Sequence, residues 1–276
     1  MEILLLRAIF APCLVLLVSL AAGRLGPRAG GRLLGTPTTT GPFLLLLALT
    51  DGTKSAAGSV PGCIAGQTAV AGFCLGYGRS APRLRPAWAL AAALAAAATA
   101  ELIAASCASI WLTAAFDAAI VLAGLLTPTS ATSATSATSA DQPSHTLRRW
   151  EIPARMAISG TMVLTAVAIA GDAGPFLGGL LSSLPVLLMV MAPSIHRSVG
   201  PGAAAQLTRG ALASGFATLG FLLVLATALE PLGVPAAFAL ALAALALIDQ
   251  LVRGSLARLA RPAAGGRRRG IRAGLQ

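Results

Sequence analysis

From Ala87 to Leu126 the chain runs for about forty residues with only two charged side chains, Glu101 and Asp117. As one helix this stretch would be about 60 Å long, twice the thickness of a membrane's hydrocarbon core. It therefore has to turn back, and the small residues at Ala105–Ser109 offer a tight hairpin. A ruler of about 20 apolar residues per crossing divides the whole chain into spans near 3–22, 33–50, 58–78, 87–105, 107–126, 154–171, 175–193, 207–229 and 233–252. Hydrophobic residues make up 56% of the chain and charged ones 11%, with a mean hydropathy of +0.82. Soluble domains run at about 45–50% and about 25%, so most of the exterior must face lipid. The fold class expected is an all-α polytopic membrane protein of about nine transmembrane helices. The net charge of +11 does not indicate nucleic-acid binding, because the basic residues lie between apolar blocks rather than on one solvated face.

Those basic residues orient the chain. Cytoplasmic loops are enriched in Lys and Arg. Arg24, Arg28 and Arg32 follow the first span; Arg79, Arg83 and Arg85 the third; Arg148 and Arg149 precede the sixth; Arg197 and Arg209 flank the loop after the seventh; and seven arginines follow residue 252. The other connections carry Asp51 with Lys54, Asp172, or Glu230. One arrangement satisfies every loop: N-terminus outside, nine spans, C-terminus cytoplasmic. The first span is expected to stay in place rather than be cleaved, because its arginines lie mainly after the apolar run, the reverse of a secretory signal.

The chain also matches itself. Shifted by 148 positions, residues 7–37 align without gaps on 155–185 with eleven identities in 31, six of them Gly or Pro: Gly23/Gly171, Gly26/Gly174, Pro27/Pro175, Gly30/Gly178, Gly31/Gly179 and Pro37/Pro185. The same offset pairs Gly62 with Gly210, Gly72 with Gly220, Phe73 with Phe221 and Glu101 with Asp249. This predicts two four-helix repeats, 1–106 and 151–252, with 107–126 as a connecting transmembrane helix that turns the second copy upside down. Arg24, Arg28 and Arg32 become Asp172, Phe176 and Leu180 in that copy, as an inverted loop requires. Between them, 127–150 with its four Thr-Ser-Ala triplets reads as a flexible cytoplasmic linker, since small polar residues without periodicity bury no core. Residues 253–276 read as a basic cytoplasmic tail lying on the anionic inner leaflet.

Inverted repeats are a building plan of secondary transporters, whose sites lie near the midplane at Pro- or Gly-interrupted helices. Such segments stand at matching places here. Thr36, Pro37, Thr38, Thr39, Thr40, Gly41 and Pro42 open the second span, and Gly178-Gly179-Leu180-Leu181-Ser182-Ser183-Leu184-Pro185 lies in the seventh. A proline removes a donor and frees a carbonyl four residues back. The neighbouring hydroxyls then either meet a solute or satisfy the freed carbonyls, and the sequence leaves both open. Buried carboxyls are the second signal, because they are costly inside a bilayer and rarely kept without a partner or cavity. Asp117, mid-span, is the leading ion-coupling candidate or half of a structural ion pair, with Arg7 as the nearby cation. Glu101 and Asp249 sit near span ends, where a structural role outweighs coupling. Gln67 either faces a cavity or, the favoured reading, forms a helix-to-helix hydrogen bond, and Gly62-x-x-x-Gly66 reads as a packing site.

The motif Gly174-Pro175, Gly178-Gly179-Leu180-Leu181 and Pro185, with its weaker copy Gly26-Pro27, Gly30-Gly31 and Pro37, resembles that of small bacterial inner-membrane proteins of unknown function, some built as tandem copies. The resemblance implies a multi-pass protein of the bacterial cytoplasmic membrane and carries no activity. Four scattered cysteines, Cys13, Cys63, Cys74 and Cys107, read as buried small residues, and no metal site or cofactor is expected. Catalytic motifs such as HExxH, a Walker loop or GxSxG are absent, so no enzyme is expected. The reading that follows is a transporter or exporter of an unknown small solute, with the bilayer as its partner and a homo-oligomer left open. The alternative is a non-transporting scaffold or accessory subunit.

Overall fold

A computed structural model describes residues 36–107, 109–127 and 151–259, with the backbone alone over 151–160 and at 257 and 259. The first span, Arg7, Cys13, the linker from 128 to 150 and the chain after 259 lie outside the described residues. What is described is helical: α1 Thr40–Thr50, α2 Thr53–Ser80, α3 Pro86–Ala105, α4 Ile110–Leu126, α5 Glu151–Ala173, α6 Pro175–Ser182, α7 Val186–Ser198 and α8 Pro201–Leu259. Within α8, Gly233 at φ 74 separates two helical arms. Among the described residues, Thr53–Ser80, Pro86–Ala105, Pro175–Ser198 and Pro201–Leu256 are long and apolar enough to cross a membrane. The protein is thus all-helical with several membrane-spanning stretches.

Turn chemistry sets the boundaries. Gly52, Gly174 and Gly200 take φ of 90, 100 and 121, a region closed to most side chains. Each is followed directly by a helix, and Pro175 and Pro201 sit at the first helical position, where the missing N–H costs nothing. The boundaries recur at the spacing found in the sequence. Gly52 and Gly200 stand 148 residues apart, as do the helix ends Thr50 and Ser198 and the helix starts Thr53 and Pro201. Long-range contacts recur likewise, Gly72 packing on Ala100 and Gly220 on Ile248.

The centre of the molecule is α2, buried from Ala56 to Gly78 on most of its positions and packed against α1, α3, α4, α6 and α8. Its glycines permit this. A Cβ at Gly62 would collide with the Phe176 carbonyl oxygen, one at Gly66 would lie 2.6 Å from Ser183 Cβ, and reciprocally one at Gly179 on α6 would collide with the Ser59 carbonyl oxygen. Helices α2 and α6 therefore touch backbone to backbone. The exterior is apolar, with Trp88, Leu102, Trp111, Leu112, Leu126, Leu247 and Leu251 exposed, as lipid contact requires and water does not favour.

Several charged residues gather at the two ends of the bundle. The Tyr77–His196 hydrogen bond, the contact of Gly78 with Thr208, and Arg209's bonds to Leu125 and Thr127 bring together the ends of α2, α4 and α7 and the start of α8. Arg79, Arg83, Arg197 and Arg209 lie there. At the far end Gly58 meets Pro175, placing the Asp51–Lys54 turn beside Asp172.

The stretches 33–50 and 175–193 are interrupted where the sequence places Pro37 and Pro185: α1 begins only at Thr40, and α6 stops at Ser182 before α7 resumes at Val186, because the two prolines cannot donate to the preceding turn. Two expected bounds need correction. Helix α8 starts at Pro201 rather than 207. Residues 253–259 belong to that helix rather than to a tail.

Candidate functional site: a polar pocket between two helix breaks

The breaks at Pro37 and Pro185 have the same hydrogen-bond design. Gly41 donates its N–H to the Pro37 carbonyl at 2.9 Å and Met189 donates to the Pro185 carbonyl at 2.9 Å, each bond opening a helix. Around each proline the chain tightens: Thr38 N–H reaches Thr36 C=O at 2.7 Å across Pro37, and Val186 N–H reaches Leu184 C=O at 2.8 Å across Pro185. Helices α1 and α7 therefore both begin at one place.

Between the two starts lies a pocket of about 40 Å³ lined by Thr36–Thr40, Gln67, Val70, Met162 and Ser183–Leu188. That is room for about two or three waters. Its two walls are tied by the buried Thr40 and Ser183 hydroxyls, Oγ1 to Oγ at 3.0 Å. Of the residues singled out from the sequence, Thr36, Pro37, Thr38, Thr39, Thr40, Ser183 and Pro185 come together here, while Gly41, Pro42 and Ser182 do not line the pocket. Ser182 instead donates to the Gly179 carbonyl at 2.8 Å and lies 3.8 Å from Cys63 Sγ. Of the two uses foreseen for the hydroxyls, Ser182 takes that of satisfying a helix-end carbonyl, whereas Ser183 bonds the Thr40 hydroxyl across the two breaks.

Gln67 on α2 closes the pocket. It is 6% exposed and lines the pocket, with no hydrogen bond to another helix among the described residues, so of its two expected uses it takes the cavity-facing one. It sits against Gly215, the residue 148 positions further on, whose added Cβ would lie 3.8 Å from Gln67 Nε2. A second amide at 215 would have no room.

The three acidic candidates do not gather at the pocket. Asp117 on α4 is 0% exposed, and neither carboxyl oxygen has a hydrogen-bond partner among the described residues. It lies one turn from Val121, which packs on Gly215. Glu101 on α3 has one buried oxygen without a partner. Asp249 pairs with Arg253 one turn on, a local ion pair of modest worth.

One polar pair escaped the sequence reading. Tyr77 Oη and His196 Nδ1 lie 3.1 Å apart with their rings edge-to-face. The two residues are 119 positions apart, and no periodicity in the sequence connects them. Among the described residues no group of three or more metal-ligating side chains occurs. Compared with protein-family models, curated proteins and solved structures, the chain matches none.

Proposed function

We propose that this chain is a secondary transporter or exporter of a small solute, built from two inverted four-helix repeats joined by α4, with the solute site in the pocket between the breaks. The observation that carries the reading is the pocket's place. It lies between Pro37 and Pro185, which are counterparts at the 148-residue spacing, and is closed by Gln67, which faces its own counterpart Gly215. Residues that meet their own equivalents mark a two-fold axis. The equivalent helices α2 and the first arm of α8 also run antiparallel, Gly78 meeting Thr208 and Gln67 meeting Gly215, as an axis in the membrane plane demands. The collected arginines set the cytoplasmic end, giving nine spans with the N-terminus outside, in a bacterial cytoplasmic membrane. Asp117, buried and without a partner among the described residues, is the proposed coupling group.

The scaffold alternative draws on a different observation, the backbone-tight glycine contacts of α2, which leave little void around the pocket. Cysteine accessibility separates the two. Single cysteines at Thr39 and Ser183, in a chain lacking the four native ones, are probed in intact cells and inverted vesicles with impermeant thiol reagents. Transport predicts labelling from at least one side. A scaffold predicts none from either, with loop positions labelling normally.

A further inference from the structure

We infer that the pocket binds a small monovalent anion, a halide or a planar oxyanion of a few atoms. The inference rests on the reading of this pocket as the solute site and names the ligand's chemistry from the groups around it. Two helices of 11 and 13 residues, α1 and α7, begin at the pocket. Each helix N-terminus carries about half a positive elementary charge, so the pair matches one negative charge. Their first turns are also free. Val186 and Met189 find backbone acceptors, but the N–H groups of Leu187 and Leu188 do not, and neither do those of Thr39 and Thr40, their counterparts at the 148-residue spacing. All four residues line the pocket.

The opposing helix end does not cancel this. Helix α6 finishes beside the pocket, yet the Gly179 carbonyl accepts from Ser182 Oγ, the Leu180 carbonyl from Ser183 N–H and the Leu181 carbonyl from Leu184 N–H. These three acceptors are occupied, whereas the four donors are not. Independently, Gln67 and Thr38, 6% and 7% exposed, line the pocket with side chains that form no hydrogen bond among the described residues. Their amide and hydroxyl are thus left to be met by what occupies the pocket. Among the described residues no acidic side chain lines the pocket to repel an anion, and no Lys or Arg lines it to compensate a second charge. A divalent anion would therefore lose its hydration without full repayment, and the volume of about 40 Å³ admits only a few atoms.

The test uses the full chain in nanodiscs of phosphatidylcholine, starting in sodium gluconate. At constant ionic strength, gluconate is replaced by chloride, bromide, nitrate, formate or sulfate, and thermal unfolding is followed. The expected result is a saturable rise in unfolding temperature with small monovalent anions, absent with sulfate and unchanged when choline replaces sodium. Gln67→Leu and Thr38→Val each raise the half-saturating concentration about tenfold or more, as loss of a hydrogen bond to a charge implies. If Gln67→Leu does not fold, Thr38→Val alone carries the comparison. Saturation by halides alone, or by nitrate and formate alone, sustains the inference and assigns the source. No saturable response, a response to sodium or sulfate instead, or equal responses in the wild type and Thr38→Val overturn it. Because binding is read at equilibrium, it fails separately from transport. Thiol labelling at Thr39 and Ser183 without an anion response removes the ligand class and leaves transport of another solute, whereas an anion response without labelling removes transport and leaves the site.

Discussion

At the scale of single residues, three buried polar groups differ in how they are satisfied, and the differences make predictions. His196 is 9% exposed and its Nδ1 is met by Tyr77 Oη. Tyr77→Phe keeps the ring and its stacking on Phe73 but leaves that nitrogen without its partner, at a cost of about 1–3 kcal/mol. Thermal unfolding in detergent should fall by several degrees, and an unchanged midpoint would mean that the bond does not form. Asp117 is the opposite case, a carboxyl buried with nothing to meet it among the described residues. On the coupling account Asp117→Leu unfolds at the same or a higher temperature, because an apolar group replaces one that packs poorly with hydrocarbon. A loss of about 3–5 kcal/mol would instead reveal a buried ion pair broken by removing one partner. Gln67 stands between these, without a partner among the described residues and lining the pocket. Its role was hard to read in the sequence, because a lone amide on a buried helix serves a neighbouring helix or a cavity equally well, and only the contact with Gly215 distinguishes them.

At the scale of elements, much of the helix plan was legible. The hairpin at Ala105–Ser109 follows from membrane thickness alone, and α3 ends at Ala105 with α4 starting at Ile110. The interruptions at Pro37 and Pro185 were legible because a proline's missing donor acts locally. The start of α8 was not, since Pro201-Gly-Ala-Ala-Ala-Gln carries no apolar run, and the helix begins there because Gly200 turns the chain and Pro201 fits a first turn. The α2–α6 contact was legible as small-residue spacing but not as to partner. It predicts a sharp asymmetry among glycines. Gly62→Ala and Gly179→Ala place a methyl against backbone that cannot yield and should cost at least about 1–3 kcal/mol. Gly202→Ala, with nothing within 4 Å, should be neutral or slightly stabilising, as Ala is the better helix former. Detergent unfolding of the three variants checks this; equal effects would mean that α2 and α6 are further apart than described.

At the scale of the whole molecule, the account joins two features that the sequence carried separately: a repeat spacing of 148 and a pair of proline breaks. The spacing was readable because Gly and Pro stand out from alanine- and leucine-rich segments. That the two breaks share one pocket was not, because contact between residues 143 positions apart, such as Thr40 and Ser183, leaves no local trace. That meeting is the central claim, and a crosslink tests it most directly. Thr40→Cys and Ser183→Cys are placed together in a chain lacking Cys13, Cys63, Cys74 and Cys107, with a protease site inserted in the Thr-Ser-Ala triplets. The parent hydroxyls lie 3.0 Å apart, close enough for a disulfide with small adjustment of the side chains. Mild oxidation in native membranes followed by cleavage should leave the two halves joined until reductant is added. Halves that separate freely after oxidation, while the uncleaved chain inserts normally, would contradict the account.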